Sequence, residues 1–347
     1  MKLRFWIALW VGKITSLVLK LLGRRGTTMP GFVAGKICPD LIQLLAARFS
    51  EGTLVITGTN GKTTTNNLLA SILKTADYEI AYNKEGANML AGITGTLLQS
   101  TSWGARPKAS LLLLEVDERT LPLLCRQISP RLAVVTNFFR DQLDRYGELD
   151  TTVKLVQDSL PESTELILNA DDPLVVSLGQ GRKKVWYFGV KAFPSSQHQS
   201  TESREGRYCS HCGQELKYSL FHYGQLGIYN CSGCDFSRPL PTIEASQVIE
   251  DKGVISFQVD QEAYCLPLQG SYNLYNALAA FCAADRLGID RENIRRGLKN
   301  FKADAGRMEQ LKLGGSRLTL TLVKNPTGFN QVLSTILASN KPLRLLL

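Results

Sequence analysis

The chain has 347 residues, of which 44% are hydrophobic and 20% are charged. This composition can build substantial hydrophobic cores and excludes a disordered protein, and the length predicts two or three domains. The formal net charge of +9 favours acidic partners, such as phosphates, nucleic acid or an anionic membrane surface, without choosing among them.

The first 25 residues combine an apolar run, Phe5 to Val11, with six basic residues. Lys13 and Lys20 interrupt the segment before it reaches the roughly 20 apolar residues that span a bilayer. No small-residue cleavage site follows, so we expect no secretory signal and interpret the protein as cytoplasmic. Two interpretations of residues 1–50 as an N-terminal helical segment stay open: an amphipathic helix at a membrane surface, or a helix packed on its own domain.

A glycine-rich turn follows the β-prone run Leu54–Thr57 and precedes a helix-like stretch, Thr64–Ala76. This is the context of a phosphate-binding loop, in which backbone N–H groups and a helix N-terminus face a polyphosphate. Lys62 can reach the β- and γ-phosphates, and the Thr63 hydroxyl can bind Mg²⁺. A glycine- and threonine-rich connection beside a surface lysine is the alternative, and the correct flanks argue against it. The predicted ATP-binding residues are Gly58, Thr59, Asn60, Gly61, Lys62, Thr63 and Thr64.

Strand-like and helix-like stretches alternate along residues 51–305, which we interpret as a central ATP-binding domain. Because several strands are almost continuously apolar, the sequence predicts an α/β fold whose mostly parallel sheet is covered on both faces. The predicted strands are Leu54–Thr57, Ser110–Val116, Leu132–Asn137, Glu165–Asn169, Val185–Val190, Val254–Val259 and Tyr264–Leu268. The predicted helices include Thr64–Ala76, Asp150–Leu160 and Asn273–Leu287.

Acidic residues follow two of the predicted strands. Glu115 ends the strand that contains Leu111–Leu114, where a carboxylate can complete Mg²⁺ coordination opposite Thr63. A solvated turn that also includes Asp117 and Glu118 is the alternative interpretation. Asp141 and Asp144 follow a later strand and could equally be helix caps.

Four cysteines form two Cys-x-x-Cys pairs that are separated by 18 residues. This spacing is typical of a structural zinc site, in which four thiolates surround one tetrahedral ion. We therefore predict a zinc ribbon at residues 200–240, inserted in the α/β domain. A redox pair, a chance spacing and His211 as an alternative ligand stay open. The predicted zinc ligands are Cys209, Cys212, Cys231 and Cys234.

The character of the chain changes after Phe301. Residues 302–315 are typical of a linker, Leu318–Val323 of a strand, the residues after Asn325 of a helix, and Leu343–Leu347 of another strand. We therefore predict that residues 306–347 are the first part of an incomplete C-terminal Rossmann-like α/β domain.

The order of these motifs resembles the Mur ligase family, the ATP-dependent amide-bond ligases of peptidoglycan synthesis, and their folylpolyglutamate synthase cousins. The resemblance implies that Glu115 binds Mg²⁺, that Asn276 contacts the nucleotide and that Arg307 reaches the phosphates, with Lys62, Glu115 and Arg307 as catalytic residues. The motifs that carry it are Gly58 to Thr64, Glu115, Thr136-Asn137, Asn169 to Pro173, Gly270-x-x-Asn273-x-x-Asn276 and Gly306 to Glu309.

Several departures from the family pattern indicate one branch of it. No domain for a nucleotide-linked substrate precedes the phosphate-binding loop, and Gln142 stands where most members carry a histidine metal ligand. The cysteine insertion and the segment Lys324–Gln331 match a branch that amidates the α-carboxyl of D-glutamate in the lipid II stem peptide. In that branch the reaction passes through an acyl phosphate, and ammonia comes from a glutamine amidotransferase of the GatD type in a heterodimer.

Three alternatives stay open. The chain could be a ligase similar to folylpolyglutamate synthase, or an ATPase that binds nucleic acid through its basic charge and its ribbon. It could also be a truncated, non-catalytic ATP-binding subunit, because the Asp-containing constellation that the resemblance implies lies beyond Leu347.

Overall fold

The computed structural model describes residues 2–24, 26, 28–84, 86–141, 149–200, 204–251, 253–302, 309–314, 316–320, 323 and 325–337. Within these residues the helices are α1 (Lys2–Leu21), α2 (Thr28–Ile37), α3 (Leu41–Ala46), α4 (Lys62–Thr75), α5 (Leu90–Gln99), α6 (Leu121–Cys125), α7 (Leu149–Ser159), α8 (Pro173–Ser177), α9 (Ser271–Arg286), α10 (Arg291–Lys299) and α11 (Pro326–Leu337). In this part of the chain no helix is both long enough and apolar enough to cross a membrane.

The strands are β1 (Thr53–Thr57), β2 (Ile80–Tyr82), β3 (Leu111–Glu115), β4 (Leu132–Val135), β5 (Glu165–Asn169), β6 (Val185–Val190), β7 (Leu216–Tyr223), β8 (Leu226–Cys231), β9 (Ile243–Asp251), β10 (Val254–Val259), β11 (Glu262–Leu266), β12 (Glu309–Leu313) and β13 (Ser316–Leu320). Nine of them form one sheet in the order β11-β10-β9-β6-β5-β4-β1-β3-β2. The seven strands from β9 to β2 are parallel, which confirms the predicted fold class.

The apolar strands explain why both faces of this sheet are covered. Leu111 to Leu114 are all fully buried, and neighbouring side chains of a strand point to opposite faces. Leu111 and Leu113 belong to the core that α4, α9 and α10 cover. Leu112 and Leu114 belong to a second core on the other face, which α1, α2, α3, α5 and α7 cover. A strand that is buried on both sides needs this continuous run of leucine.

Helices α2 and α5 approach each other so closely that one position tolerates only glycine. A methyl group built on Gly31 of α2 would overlap the Ala91 carbonyl oxygen and lie 2.6 Å from the Gly95 nitrogen of α5. The backbones of the two helices are therefore in direct contact at Gly31.

We expect Gly31→Ala to lower the free energy of unfolding by about 1–3 kcal/mol, because the added methyl must push the two helices apart. Gly35→Ala is the matched control, since Gly35 lies one turn later in α2 and a methyl there would meet nothing within 4 Å. This control is expected to be neutral or to stabilise by about 0.5 kcal/mol. Urea unfolding of both variants measures the difference, and equal stabilities would contradict the close contact.

The edge of the sheet differs from the sequence-based expectation. Strands β10 and β11 pair antiparallel, because only Asp260 and Gln261 connect them, each with a positive φ (49° and 68°). Such a two-residue connection produces a hairpin and cannot join parallel strands. Strand β11 also begins two residues before the predicted Tyr264, and β2, β7, β8 and β9 were not predicted.

The segment predicted as a linker after Phe301 contains a strand, so this prediction is wrong in part. Strand β12 pairs antiparallel with β13 across the two-residue connection Gly314-Gly315. Two glycines between strand-like runs are themselves a hairpin signal, which the sequence interpretation overlooked. The predicted strand Leu343–Leu347 lies outside the described residues. The domain boundaries stay a prediction.

Candidate nucleotide and metal sites

The phosphate-binding loop lies at the C-terminal end of β1, between β3 and β4. From β1 the sheet continues through β3 and β2 on one side and through β4, β5, β6 and β9 on the other. Such a reversal of strand order leaves a crevice outside the carboxyl ends of the strands, where open α/β sheets bind ligands. The ends of β1, β3 and β4 therefore bring the predicted residues of three motifs together.

Two glycines shape the loop. Gly61 has a φ of +84°, and a methyl group on it would overlap Asn276 Oδ1 of α9. Gly58 has a φ of +116°, and a methyl group on it would lie 2.5 Å from Thr136 Oγ1. Left-handed backbone and the absence of space both require glycine here. The loop is thus clamped between β4 on one side and α9 on the other.

The segment after β4 fixes the loop by hydrogen bonds. Asn60 N donates to Asn137 Oδ1 (2.9 Å) and Thr59 N donates to the Asn137 carbonyl (2.8 Å). Thr136 Oγ1 donates to the Asn60 carbonyl at 2.8 Å. On the other side, Thr65 Oγ1 lies 3.4 Å from Asn276 Oδ1, and Asn276 Nδ2 donates to Asn273 Oδ1 (3.2 Å). The loop is held in shape before any ligand binds.

The start of α4 offers an anion site. Gly61 is the N-cap residue and has no side chain that could cap the first turn. Helix N-termini direct N–H groups outward, and the helix dipole favours negative charge there. Lys62, the first residue of α4, lies beside them. This arrangement suits the polyphosphate of a nucleotide.

Lys62 is bound to the protein itself in this structure. Its Nζ donates to the carbonyl oxygens of Gly58 and Thr59 and pairs with Glu118 Oε2 at 3.1 Å. Both side chains of the ion pair are nearly buried, at 11% and 5% exposure. Burial raises the pKa of the Glu118 carboxyl, and the Lys62 ammonium opposes that rise. The sequence interpretation named Glu118 only in the alternative of a solvated turn and missed this pairing.

A second group of oxygen atoms meets at Gly86. A methyl group there would lie 3.5 Å from Thr63 Oγ1 and 3.6 Å from Glu115 Oε2. Glu115 is 2% exposed, and its Oε1 accepts a hydrogen bond from Asn88 Nδ2 at 3.1 Å. Its Oε2 is buried and has no hydrogen-bond partner among the described residues. A buried, unpartnered carboxylate oxygen beside a threonine hydroxyl fits a bound Mg²⁺.

Asn83 fixes the backbone of Glu115. Its Nδ2 donates to the Glu115 carbonyl and its Oδ1 accepts from Glu115 N, both at 2.8 Å. Asn83 follows the short strand β2, which the sequence interpretation did not predict, so neither Asn83 nor Asn88 was expected at the site. Asn83 thus fixes the backbone of Glu115, and Asn88 contacts its carboxylate.

Asn325 was also missed as a residue of this site. It is buried, and its Nδ2 donates to Asn60 Oδ1 at 2.9 Å, although 265 residues separate the two. Its own Oδ1 accepts from Gly328 N at the start of α11. The only signal in the sequence was the segment Lys324–Gln331, which was quoted for the resemblance without a role in the site. Arg307, Gln142 and Asp144 lie outside the described residues, so their predicted roles stay predictions.

The four cysteines of the two Cys-x-x-Cys pairs converge. All four sulfurs lie within 4.8 Å of one another, with Cys209 and Cys234 at 3.5 Å and Cys212 and Cys231 at 3.4 Å. These separations are too long for disulfides and close to the sulfur–sulfur spacing around a tetrahedral zinc ion, whose Zn–S distance is about 2.3 Å.

Each pair has the hydrogen bond that a metal-binding turn provides, from His211 N to Cys209 Sγ and from Gly233 N to Cys231 Sγ. His211 packs against Phe236, with ring centroids 4.6 Å apart and the rings tilted by 47°. Its ligand atom also lies within 4.8 Å of those of Cys234 and Asp235, so it belongs to a second group of possible metal ligands.

The cysteine-bearing hairpin is connected to the nucleotide site through Asp171. Asp171 is fully buried; its Oδ1 accepts from Arg238 Nε at 2.6 Å, and its Oδ2 accepts from Tyr275 Oη at 2.7 Å. Arg238 follows the last cysteine by four residues, and Tyr275 precedes Asn276 in α9. One buried carboxylate therefore connects the cysteine cluster with the helix that clamps Gly61.

Comparisons with known proteins agree with this geometry. The model of the Mur ligase middle domain matches residues 56–234. Subunit MurT of the glutamine-hydrolysing lipid II isoglutaminyl synthase of Staphylococcus aureus (strain COL) is 37% identical over 96% of this chain and 74% of its own length. The MurT subunit of Streptococcus pneumoniae (strain ATCC BAA-255 / R6) is 36% identical over 99% of this chain and 76% of its own length.

Among solved structures, the pseudomurein peptide ligase type C of Methanothermus fervidus superposes with a TM-score of 0.66 at 28% identity. The superposition covers 84% of this chain and 57% of that chain.

Proposed function

Since the chain belongs to the Mur ligase family and, within it, to the MurT subunits, we propose that it is the ATP-dependent ligase subunit of a lipid II isoglutaminyl synthase. It amidates the α-carboxyl of D-glutamate in the lipid II stem peptide. The observation that carries the proposal is the 37% identity over 96% of the chain to a relative of that name. The ATP-dependent half of the reaction is supported by three features near the end of β1. They are the phosphate-binding loop, the buried Lys62 and the carboxylate of Glu115.

The reaction consumes one ATP for each amide. The carboxylate oxygen attacks the γ-phosphorus, the bond to the β-phosphate oxygen breaks, and ADP leaves. Ammonia then attacks the carbonyl carbon of the acyl phosphate, loses a proton and expels phosphate. Stabilisation of the charge on the transferring phosphoryl group is the main contribution that a protein makes to such a step.

The residues of this chain divide that work. Lys62 and the N–H groups of the first turn of α4 hold the β- and γ-phosphates, and Asn276 lies against the loop from α9. Thr63 Oγ1 and Glu115 Oε2 would hold a Mg²⁺ ion, which neutralises phosphate charge when it is bound. Arg307 is proposed to reach the phosphates. Lys62 must separate from Glu118 to hold the phosphates. A phosphate of ATP then replaces the Glu118 carboxylate as the anionic partner of Lys62.

The cysteine cluster would hold a structural Zn²⁺. Four thiolates leave no open coordination position, so the ion takes no part in the chemistry. The word "subunit" in the relatives' names implies a partner subunit. That partner is proposed to be a GatD-type glutamine amidotransferase, which supplies ammonia within a heterodimer. The enzyme is proposed to act in the cytoplasm, at the inner face of the membrane, because its proposed substrate is linked to a lipid.

One assay tests the proposal: amidation of lipid II by this chain and a GatD-type partner, with glutamine as the nitrogen source. We expect amidated product and ADP in equal amounts, and neither without ATP. If the chain binds ATP but forms no product with its partner present, it is a non-catalytic ATP-binding subunit. Glutamylation of a folate, or DNA or RNA binding with a steep salt dependence, would indicate the other two alternatives.

Glu115→Gln is expected to raise the Mg²⁺ concentration required for half-maximal activity by at least about 10-fold, because the neutral amide retains the size of the side chain but loses its charge. Asp117→Asn is the control, since Asp117 lies two residues later and its Oδ1 accepts from Arg119 N. The activity of both variants is titrated with MgCl₂ at saturating ATP. An unchanged Mg²⁺ dependence of Glu115→Gln would contradict the assignment.

A further inference from the structure

Helix α1 has two apolar faces, and only one of them is buried in the core. Phe5, Ala8 and Leu9 are buried in the core that covers one face of the sheet. Besides Val18, which is 47% exposed, six large apolar residues on the same helix are between 41% and 79% exposed, and we call these six the apolar stripe. They are Leu3, Ile7, Trp10, Ile14, Leu17 and Leu21.

The spacing of the stripe makes it continuous. Its members alternate steps of four and three residues, so at 3.6 residues per turn they occupy one arc of about 80° along the whole helix. The buried residues Phe5, Ala8 and Leu9 lie nearly opposite this arc. Because the inner face already anchors α1 to the domain, the stripe is an additional surface that folding of the described residues does not need.

Basic residues flank the stripe on both sides. Arg4 and Lys20 are exposed, and on a helical projection each lies about 60° beyond one edge of the stripe. Residues 1–39 contain seven lysines and arginines and no acidic residue. Lys13 is occupied, since its Nζ donates to the carbonyl oxygens of Leu98 and Thr101 and burial lowers its pKa to about 8. The exposed cations Arg4 and Lys20 are thus at the two edges of the apolar stripe.

We propose that the apolar stripe docks α1 on an anionic lipid bilayer, with the helix axis parallel to the membrane plane. An apolar arc between cationic flanks is the pattern of an interfacial helix, because apolar side chains enter the acyl boundary while cations meet anionic headgroups. Trp10 fits this position: its Nε1 donates to the Trp103 carbonyl at 3.3 Å, and both indoles are about half exposed.

The inference goes beyond the proposed function and is tested without any measurement of activity. The full chain is sedimented with vesicles of phosphatidylcholine alone, or with about one-third phosphatidylglycerol. We expect at least about 10-fold more binding to the anionic vesicles, and loss of that difference in 1 M salt, where the Debye length is about 3 Å. Ile14→Gln/Leu17→Gln is expected to lower binding at least about 10-fold. Leu240→Gln/Ile249→Gln, two residues that are 87% and 61% exposed outside α1, is the matched control and should bind as the wild type does.

Thermal unfolding and ATP binding verify that both double variants are folded. Equal binding of the wild type to the two vesicle types, or full binding by Ile14→Gln/Leu17→Gln, would overturn the proposal. So would a wild-type dimer in sedimentation velocity that the stripe variant loses while vesicle binding is absent, because the stripe would then join two copies. Vesicle binding that the GatD-type partner abolishes would assign the stripe to that partner instead.

Discussion

Lys62→Met is expected to lower the rate of ATP-dependent amidation by roughly 10³-fold, because methionine fills the same space without the charge that the transferring phosphoryl group requires. It should also lower stability. Lys62 is the ion-pair partner of Glu118, and removal of one partner of a buried pair costs about 3–5 kcal/mol. Rates of ADP and product formation, a fluorescent ATP-analogue titration and thermal unfolding measure the effects. The first control is Lys74→Met, an exposed lysine at the other end of α4.

A second variant separates the loss of stability from the loss of catalysis. In Lys62→Met/Glu118→Gln the buried carboxylate is replaced by a neutral amide, so most of the lost stability should return while activity stays near the level of the single variant. Recovery of activity together with stability would show that Lys62 acts only through folding. If Lys62→Met is as stable as the wild type, the buried Glu118 carboxylate does not need the positive charge of Lys62.

The sequence could predict which residues lie together at the candidate nucleotide site, because these residues adjoin strand ends. Gly61, Lys62 and Thr63 follow β1 directly, and Glu115 ends β3; parallel neighbours place such residues at one edge of the sheet. Asn276 and Arg307 came from the family resemblance. The structure places Asn276 against Gly61, and the role of Arg307 stays a prediction.

The parts that could not be predicted depend on long-range packing. Asn325 donates a hydrogen bond to Asn60, which lies 265 residues earlier in the chain. No local sequence pattern can predict a contact between residues so far apart. Glu118 looked like one acid of a solvated turn, since its burial beside Lys62 follows only from how β3 and the loop lie next to each other. The position of Asn83 could not be predicted, because it follows β2, and the three residues of β2 are too few to show a periodic pattern.

The β10–β11 and β12–β13 hairpins differ in how well their turn residues could be predicted from the sequence. Asp260-Gln261 carries no glycine, yet both residues have a positive φ, so the sequence gives no usual sign of the turn that makes β10 and β11 antiparallel. The residue pair Gly314-Gly315 in the sequence did carry that sign. In the first case tertiary pairing at the sheet edge imposes an unusual backbone; in the second the local chemistry was sufficient.

Removal of the metal from the cysteine cluster is expected to have the second large effect. Cys231→Ser should lose about one equivalent of zinc and lower the unfolding temperature by roughly 10 °C, since the proposed structural ion would contribute to the stability of the folded state. Cys265→Ser is the control, because Cys265 is half-buried in β11, outside the cluster, and should retain the metal. Zinc content by atomic absorption and thermal unfolding measure these effects. Unchanged zinc content in Cys231→Ser would contradict the four-thiolate site.

The same variant should also bind ATP about 5- to 10-fold more weakly, because the segment after Cys234 carries Arg238. Arg238 and Tyr275 share the buried carboxylate of Asp171, and Tyr275 lies beside the Asn276 that clamps the loop. Arg238→Gln should therefore weaken ATP binding to a similar extent while retaining the zinc. If the effects have one cause, Cys231→Ser/Arg238→Gln binds ATP no more weakly than either single variant. Fully additive losses, or wild-type ATP affinity in the zinc-free protein, would show that the cysteine cluster stabilises only its own hairpin.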